Sequence, residues 1–563
     1  MRKFSISVEY ALYAGILLVA FALRFAFLGD PPLNEVEAQA VYPAHQIARG
    51  QDVSLGNQAG YTLLAAISFS LTSSSEFIAR FWPALFGVAL VALAYFWREV
   101  IGPKPALVLA ALLALDPGMV AVSRLASGRM IALAAGLLAI TAWRYERNYL
   151  AVTFGIIAIL AAPTIFIGLL VLLVTTLIFP LRKKSFRSNG SKVRRSMALA
   201  AAFYLLGTTL FFIFPSGLSA FGNVVSGFLT GWGQASGVSS LEVLFALFAY
   251  NLPVIVFGLI GGFRSWTRSV RAGKQLPLAT LFAVLIVGWY PGRQVADLVW
   301  VTLTLAILSA IELSRYFHLP MNETKAAFGE MGLVLILGLF FYLMLAKAST
   351  SDPNSELFRT VLLAAGAVPL LLAIATVLIS YGWSRQAAAH GLVWGVSLLS
   401  VMGMLSASSH FANPNAGGAN ELWRPGPSVG ELRLVEATLG NLSSWEEGQP
   451  EAVAVKSRVE SAVLDWILRD YPEPRNDLLD SSPQLVITGI QAENQANLAT
   501  YRGQSFPLYV HRAWSAWPPN LLKWLLYREA PTFSEQAILW VSADLLPGGT
   551  VVQETSGTSS STP

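Results

Sequence analysis

Apolar runs long enough to cross a bilayer recur along most of the chain. A spanning helix needs about 20 apolar residues, and about thirteen such runs lie between residues 9 and 408, bounded by Gly, Pro or charged residues. They are 9–28, 79–97, 105–121, 129–143, 149–162, 164–181, 197–215, 241–263, 277–291, 298–313, 327–347, 357–382 and 388–408. The stretch 149–181 also fits one broken span. A further run, 61–71, is too short to cross and predicts a helix buried at the outer face or re-entering it. The pattern predicts a polytopic α-helical membrane protein.

The composition supports this class and excludes others. Of 563 residues, 55% are hydrophobic and 13% are charged, about half the charge density of soluble domains. The chain has no cysteine, which excludes disulfides, thiolate metal sites and cysteine nucleophiles. Its basic residues lie in short loops between apolar runs, so no feature favours nucleic-acid binding.

The distribution of Lys and Arg predicts the orientation. With a cytoplasmic N-terminus, the inner loops hold most basic residues, including the run at 182–195, and the outer loops hold few. The first apolar run lacks a clear cleavage site and is interpreted as an uncleaved span. An odd number of spans places everything after residue 408 outside. The expected location is the cytoplasmic (inner) membrane, with several passes.

The chain changes character after residue 408. We expect a transmembrane module at 1–408, a Gly/Pro/Asn-rich linker at 409–429, an extracytoplasmic domain at 430–550 and a disordered tail at 551–563. Helical spacing at 430–443 and 457–470, with apolar strand-like runs at 484–490 and 537–542, predicts a small α/β domain. The aromatic stretch 514–527 suits either the outer leaflet or its own domain.

Acidic residues follow the first span directly. Asp30, Glu35 and Glu37 lie in the first outer loop, at the start of a predicted amphipathic helix. Carboxylates at the edge of a membrane span cost desolvation unless they are used or paired, which makes them functional candidates. The alternative is local: acidic residues favour the first turn of a helix, and Asn34 could cap it.

Arginines lie at the outer ends of later spans. The candidates are Arg80, Arg124, Arg129 and Arg293, with Asp297 close to the last of them. A guanidinium binds phosphate through a planar fork of donors, and a carboxylate can accept a hydroxyl proton as general base. The alternatives are that Arg80 and Arg124 extend to the interface, and that Arg293 and Asp297 form a local i,i+4 ion pair.

Four segments, in order, resemble a known superfamily. PLNEVEAQAVYPAHQIARG follows the first span, GYTLLAAISFSLTSSSEFIARFWPALFG precedes the second, LLALDPGMVAVSRLASGRM ends the third, and 293–300 forms a late outer motif. This order resembles the GT-C superfamily of membrane glycosyltransferases, in its protein mannosyltransferase and aminoarabinose transferase branch. The segment VLDWILRDYPEP resembles, more weakly, the periplasmic domains of some bacterial members.

The resemblance implies an enzyme that moves a sugar from a polyprenyl-phosphate donor to a lipid, glycan or protein acceptor at the outer face of the membrane. In such enzymes a first-loop carboxylate acts as base or holds a divalent metal ion, a role that falls here to Glu37 with Glu35 as substitute. Substrate binding falls to Asp30, Arg80, Arg124, Arg129, Arg293 and Asp297. Two alternatives are a lipid-linked sugar transporter or flippase and a catalytically inactive scaffold.

Two departures from the family pattern bear on that chemistry. The family usually has adjacent Asp and Glu, whereas Val36 separates the two glutamates here. Arg129 also stands near the place where the family often has a second acid. Metal dependence is therefore open at this stage, and so is catalysis itself.

Overall fold

The computed structural model describes residues 8–179, 190–268, 271–413, 418–472, 483–490 and 501–545. The chain divides into two compact units. The first comprises Met1–Pro31, Pro43–Pro425 and Ala513–Pro531, and the second comprises Pro32–Tyr42, Gly426–Arg512 and Thr532–Pro563. The predicted disordered tail at 551–563 and most of the basic run at 182–195 lie outside the described residues.

Helices account for nearly all of the first unit. The helices up to residue 412 are α1 (Val8–Phe25), α2 (Glu35–Ala48), α3 (Ala59–Leu71), α4 (Glu76–Phe96), α5 (Arg98–Ile101), α6 (Pro103–Leu115), α7 (Pro117–Ser123), α8 (Arg129–Arg144), α9 (Asn148–Ala161), α10 (Ile165–Ile178), α11 (Gly190–Thr208), α12 (Ala220–Gly233), α13 (Ser240–Arg268), α14 (Arg271–Trp289), α15 (Val299–Leu313), α16 (Met321–Thr350), α17 (Glu356–Gly382) and α18 (Arg385–Ala412). The first residues of α2 are counted with the second unit.

Most predicted spans coincide with one of these helices, but 105–121 covers both α6 and α7, and 197–215 extends past the end of α11. The predicted polytopic helical architecture is confirmed. By length and apolarity, seven helices in the described ranges could cross a membrane, or up to nine if each of two bent pairs forms one span. This number is lower than thirteen because helices such as α8, with 16 residues, are shorter than a bilayer core of about 30 Å. The 61–71 run is α3, which has 13 residues.

The bent pairs lie at prolines. Helices α6 and α7 meet at 59°, and α9 and α10 at 119°. Asp116 caps α7 by accepting a hydrogen bond from Met119 N at 2.8 Å, and Pro117 takes the first helical position. Since Pro117 lacks an N–H for the preceding turn, α6 ends there. The short helix α7 places Arg124 at its C-terminal end.

Helix α15 is the most buried span of the first unit, whereas α16 and α17 leave most of their surface exposed. Helix α15 contacts α6, α13 and α14. Its Ser309 hydroxyl donates to Val254 O of α13 at 2.6 Å, and Gly258 and Gly261 let these two helices approach closely. The exposed flanks of α16 and α17 are rich in Leu, Ile and Phe, as lipid-facing helices are.

A mixed five-stranded sheet forms the centre of the second unit. Its strands are β1 (Ser428–Val429), β2 (Val455–Ser457), β3 (Leu485–Gly489), β4 (Tyr501–Arg512) and β5 (Thr532–Ser542), in the order β1-β4-β5-β3-β2. Only the β2–β3 pairing is parallel among these strands. Helices α19 (Leu432–Glu447) and α20 (Ala462–Ile467) complete the unit within the described residues.

The sequence patterns predicted only some of the helices and strands of this second unit. The runs 484–490 and 537–542 correspond to β3 and the second half of β5. Strand β4 was not predicted, since Gly503 and Pro507 interrupt its apolar pattern. The predicted helix at 457–470 is shorter, because residues 455–457 pair with β3 as a strand.

The aromatic insert between β4 and β5, Ala513–Pro531, is counted with the first unit. Its helix α21 (Leu521–Tyr527) buries Trp524 completely. The indole of Trp524 donates to Asn420 O at 3.0 Å, and its ring contacts Phe245 and Tyr250. The insert therefore packs among the helices of the first unit.

Candidate functional site

Glu37 belongs to a capping box at the start of α2. Asn34 N donates to Glu37 Oε2 at 3.1 Å, and Glu37 N donates to Asn34 Oδ1 at 2.9 Å. The two residues satisfy each other's backbone donors, as this motif does at helix N-termini. The side chain of Glu37 is buried. Capping by Asn34, the local alternative from the sequence, is present, and a role of Glu37 as base stays a prediction.

Glu35 binds the N-terminus of α20 within the second unit. Its carboxylate accepts hydrogen bonds from Ala462 N at 3.0 Å, from Val463 N at 3.3 Å and from the hydroxyls of Ser461 and Tyr509. An anion at a helix N-terminus is stabilised by the unsatisfied N–H groups and the helix dipole. Although burial opposes ionisation, the hydrogen bonds from Tyr509 and the backbone hold the pKa of Glu35 below its usual value. A carboxylate with these properties is a weak base.

In the first unit, Arg124 binds the backbone carbonyls at the C-terminal end of α1. Its Nη1 donates to the carbonyls of Leu23, Arg24 and Ala26 at 3.1, 3.2 and 2.8 Å, and its Nη2 donates to Phe27 O at 3.3 Å. These carbonyls lie at the negative end of the helix, where many lack an intrahelical donor. Arg124 is only 7% exposed, so it does not extend to the interface.

Arg80, from α4, holds the turn that follows α1. Its Nη1 donates to Leu28 O at 3.2 Å and to Pro31 O at 2.7 Å, and the residue is 4% exposed. Asp30 lies in the same turn, with its backbone N–H bonded to Phe27 O at 3.4 Å. Two predicted arginines and one predicted carboxylate therefore meet at the end of the first span.

A third arginine, Arg424, joins this group. Burial, together with the cations of Arg80 and Arg424, lowers the pKa of Arg124 to about 10, and Asp30 acts in the opposite direction. We call these four residues the arginine cluster. With all four ionised, three guanidiniums and one carboxylate give a net charge of +2.

Sequence reasoning missed Arg424 because it lies in a segment interpreted as a linker. The available signal was the neighbouring Trp423, an aromatic residue in a Gly/Pro/Asn-rich stretch. The Trp423 ring is buried against Gly118 of α7, where an added Cβ would lie 2.3 Å from its Cζ2. The glycine thus makes room for the indole that precedes Arg424.

A second group of predicted residues lies at the start of α8. Arg129 Nε is 3.6 Å from Asp297 Oδ1, and both side chains are largely buried. Asp297 Oδ2 also accepts a hydrogen bond from Gln294 N at 2.9 Å. The local ion pair between Arg293 and Asp297, considered from the i,i+4 spacing, is therefore wrong: Arg129 is the partner of Asp297.

Arg293 instead binds backbone carbonyls. Its Nε donates to Val238 O at 3.0 Å, and its Nη1 donates to Gly288 O at 3.2 Å and Tyr290 O at 2.9 Å. These contacts hold the end of α14 and the loop before α13. A role of Arg293 in substrate binding stays a prediction.

Beside the Arg129–Asp297 pair lies a small polar cavity of about 90 Å³. Its polar side chains are Asn57, Gln58, Arg129, Thr164, Tyr290 and Asp297. The volume is enough for several water molecules. Sequence reasoning missed Asn57, Gln58, Thr164 and Tyr290, because single neutral polar residues carry no motif.

The contacts of the polar cavity fix most of its side chains. Gln58 Oε1 accepts a hydrogen bond from Gly128 N at 2.7 Å. The Tyr290 hydroxyl donates to Phe228 O at 3.0 Å. Arg129 Nη1 is buried and has no hydrogen-bond partner among the described residues. Because an unpaired buried donor is costly, the cavity is suited to a polar or anionic guest.

The carboxylates in the described ranges form no cluster for a divalent metal ion, whose role here stays a prediction. They contain no group of three or more His, Asp or Glu side chains that could hold such an ion. Glu35 accepts hydrogen bonds from the start of α20, and Asp297 forms an ion pair with Arg129. No chemical step is therefore assigned to a metal.

Comparison with known proteins gives a structural likeness without a sequence match. No protein-family model and no curated protein matches the chain. The crystal structure of ArnT from Cupriavidus metallidurans bound to undecaprenyl phosphate has a TM-score of 0.56 and 15% identity, and the likeness covers 95% of this chain and 98% of that chain. The apo structure of the same ArnT has a TM-score of 0.55 and 16% identity, with the same coverage.

A third likeness is too weak to bear on the fold. The apo crystal structure of the oligosaccharyltransferase from Archaeoglobus fulgidus has a TM-score of 0.40 and 14% identity, covering 86% of this chain and 62% of that chain. The ArnT likeness confirms the fold expected from the four sequence segments. This chain therefore shares the fold of the ArnT structures over 95% of its length.

Proposed function

We propose that the protein is a membrane glycosyltransferase that moves a sugar from a polyprenyl-phosphate donor to a lipid, glycan or protein acceptor. In this proposal the N-terminus is cytoplasmic, and the reaction takes place at the outer face of the cytoplasmic membrane. The observation that carries it is the arginine cluster, which gathers a net charge of +2 at the end of the first span.

The cluster has the properties of a phosphate site. A phosphate group is opposite in charge to the net +2 of these four residues, and a guanidinium matches its oxygens with parallel N–H donors. The carbonyl contacts of Arg80 and Arg124 fix both guanidiniums before a ligand arrives. Preorganised donors stabilise developing charge without reorganisation. ArnT, which shares the fold, was crystallised with undecaprenyl phosphate bound.

The reaction is a displacement at the anomeric carbon of the sugar. The bond from that carbon to the phosphate oxygen breaks, and the polyprenyl phosphate leaves with the electron pair. A bond to the acceptor oxygen forms, and the acceptor proton passes to a carboxylate. The arginine cluster would hold the charge of the leaving phosphate, and the enzyme would align donor and acceptor.

Glu37 is the carboxylate that we assign as general base. Glu35 is less suited, because hydrogen bonds from Tyr509 and from the start of α20 hold its pKa below the usual value. A general base works best with a pKa near the operating pH.

The side chains of the polar cavity are suited to binding the hydroxyl groups of a substrate. Its amides at Asn57 and Gln58, the hydroxyl of Thr164 and the ion pair of Arg129 with Asp297 offer both donors and acceptors. Such a mixture fits a sugar or another polyol, whose hydroxyls both donate and accept. We assign Arg129 and Asp297 to this polar subsite and the arginine cluster to the phosphate.

Binding of undecaprenyl phosphate to the purified full-length protein tests the proposal. We expect Arg424→Gln to weaken binding about tenfold or more, since a hydrogen bond to a charged group contributes about 1.5–3 kcal/mol. Arg502→Gln is the matched control, since Arg502 is an exposed residue of β4, and it should leave the affinity unchanged.

Three results decide between the alternatives. Equal affinity of wild type and Arg424→Gln would reject the phosphate site. Binding without sugar transfer in native membranes, under any supplied lipid-linked donor, would favour the inactive scaffold. Donor movement across vesicle membranes without turnover would favour the flippase.

A further inference from the structure

A large apolar cavity lies within the first unit, apart from both polar sites. Its volume is about 430 Å³, and α1, α6, α13, α15 and α18 line it. Side chains such as Leu107, Phe257, Leu313, Val393 and Met404 form its walls. An apolar cavity of about 150 Å³ already takes up benzene, so this one has room for a longer hydrocarbon chain.

Aromatic residues surround one end of the cavity. Tyr316 and Phe317, just after α15, and Trp394 of α18 line this end. The Trp394 indole donates to Tyr316 O at 2.8 Å. Trp and Tyr concentrate at the level of lipid head groups in membrane proteins. In the predicted orientation this end faces the cytoplasm.

Cationic side chains adjoin the same end. Lys104 lies one turn before the lining residues Leu107 and Val108 on α6, and therefore on the same face. Its ammonium is 2.6 Å from His318 Nε2. Since the ammonium can donate to a neutral imidazole, this pair carries one positive charge.

A triad of two arginines around the buried Glu312 adds to this charge. Glu312 forms ion pairs with Arg264, whose Nη1 lies 2.8 Å from Oε1, and with Arg315, whose Nε lies 3.4 Å from Oε2. Arg315 directly precedes the lining residue Tyr316. Two arginines and one glutamate leave one further positive charge. Glu9 of α1, a helix that lines the cavity, forms an ion pair with Arg98 at 3.7 Å, and the two add no net charge.

We propose that this cavity binds a phospholipid of the cytoplasmic leaflet that has an anionic head group. One acyl chain enters the apolar cavity, and the head-group phosphate contacts Lys104 and the arginines of the triad. The positive charge at the aromatic end of the cavity favours an anionic lipid. Basic pockets between helices on the cytoplasmic side bind such head groups. The inference does not depend on the proposed function.

Native mass spectrometry of the full-length protein in detergent tests this site with two probes, dioleoylphosphatidylglycerol and dioleoylphosphatidylcholine. The wild type should retain one phosphatidylglycerol in preference to phosphatidylcholine. Lys104→Gln should weaken phosphatidylglycerol retention about fivefold, the effect of one basic residue near a membrane surface, without changing that of phosphatidylcholine. Lys347→Gln, an exposed position at the end of α16, is the matched control and should have no effect.

A cavity-filling variant tests the acyl-chain part independently. Ala111→Phe places a ring in the cavity, whereas Ala373→Phe places the same ring on the exposed flank of α17. We expect Ala111→Phe to abolish retention of both lipids and Ala373→Phe to preserve it, with equal size-exclusion profiles. Equal retention of both lipids by all variants would overturn the proposal. Displacement of phosphatidylglycerol by equimolar undecaprenyl phosphate would also overturn it, by assigning the cavity to the donor chain.

Discussion

Arg129 and Asp297, which are 168 positions apart in the chain, form a largely buried ion pair with Nε 3.6 Å from Oδ1. Each residue came from a different outer motif in the sequence. Their pairing joins the start of α8 to the turn before α15 and forms one wall of the polar cavity. A buried pair of this kind holds its own side chains in place while one donor, Nη1, stays available to a guest.

Breaking this pair should destabilise the first unit. Arg129→Gln or Asp297→Asn alone leaves a buried charge without its partner, which costs about 3 kcal/mol. The double variant should recover part of that loss, since neither charge then remains. Thermal unfolding of the detergent-solubilised protein measures all four forms. As a control, Lys523→Gln removes an exposed pair with Glu529 and should cost less than about 1 kcal/mol. Additive effects of the two buried substitutions would show that the pair is not coupled.

The second unit should depend on pH through Glu35. Its pKa in the folded protein lies below the usual value, so its contribution is present above the unfolded pKa and is lost as the pH falls through the folded pKa. At pH 7, Glu35→Gln should therefore lower the melting temperature. The difference from wild type should shrink below about pH 4. Glu446→Gln, at an exposed position near the end of α19, should show no such change. A difference that stays constant from pH 7 to pH 3 would contradict the assigned role.

Hydrophobic patterning predicted the membrane helices well, and local chemistry explains what it missed. The predicted spans lie mostly in helices, because apolar runs between charges have few other structures in a bilayer. The sequence at Asp116 and Pro117 predicted the end of a span. It did not predict the bend between α6 and α7, because the angle depends on the packing around α7. Strand β4 escaped detection because its first half, including Gln504 and Ser505, is exposed and polar.

The candidate site was partly predictable. Arg80, Arg124 and Asp30 were singled out one by one, since the outer ends of the predicted spans hold few charged residues. Their assembly with Arg424 required the fold, because Arg424 is 300 positions from Arg124. The ion pair of Asp297 with Arg293 was wrong, because i,i+4 spacing is a local rule and the observed partner, Arg129, comes from another helix.

Gly118 offers a way to disturb the arginine cluster without removing a charge. An alanine Cβ there would lie 2.3 Å from Trp423 Cζ2, so Gly118→Ala must displace the indole that precedes Arg424. We expect a loss of about 1–3 kcal/mol from overpacking, with a shift in tryptophan emission and weaker binding of undecaprenyl phosphate. Gly155→Ala, where an added Cβ meets nothing within 4 Å, is the control. It should be neutral or stabilising in its helix. Unchanged emission and affinity in Gly118→Ala would argue against the packing role of the glycine.

Glu37 can be tested for chemistry separately from capping. A glutamine at the third position of a capping box still accepts from the Asn34 backbone, so Glu37→Gln should fold like wild type. It cannot take a proton, and a lost general base typically costs about 10²–10⁴-fold in rate. Release of undecaprenyl phosphate from synthetic undecaprenyl-phosphate mannose or aminoarabinose, in native membranes that supply acceptors, measures this rate.

The matched variant is Asn34→Ala, which removes the cap and keeps the Glu37 carboxylate. It should lower stability by about 1 kcal/mol and retain most of the transfer rate, because the proton acceptor is unchanged. Glu37→Gln should show the reverse, with stability kept and transfer lost. If both variants transfer sugar at the rate of wild type, Glu37 only caps α2 and the base is another group. If Glu37→Gln still binds undecaprenyl phosphate while transfer is lost, Glu37 acts in the transfer step and not in phosphate binding.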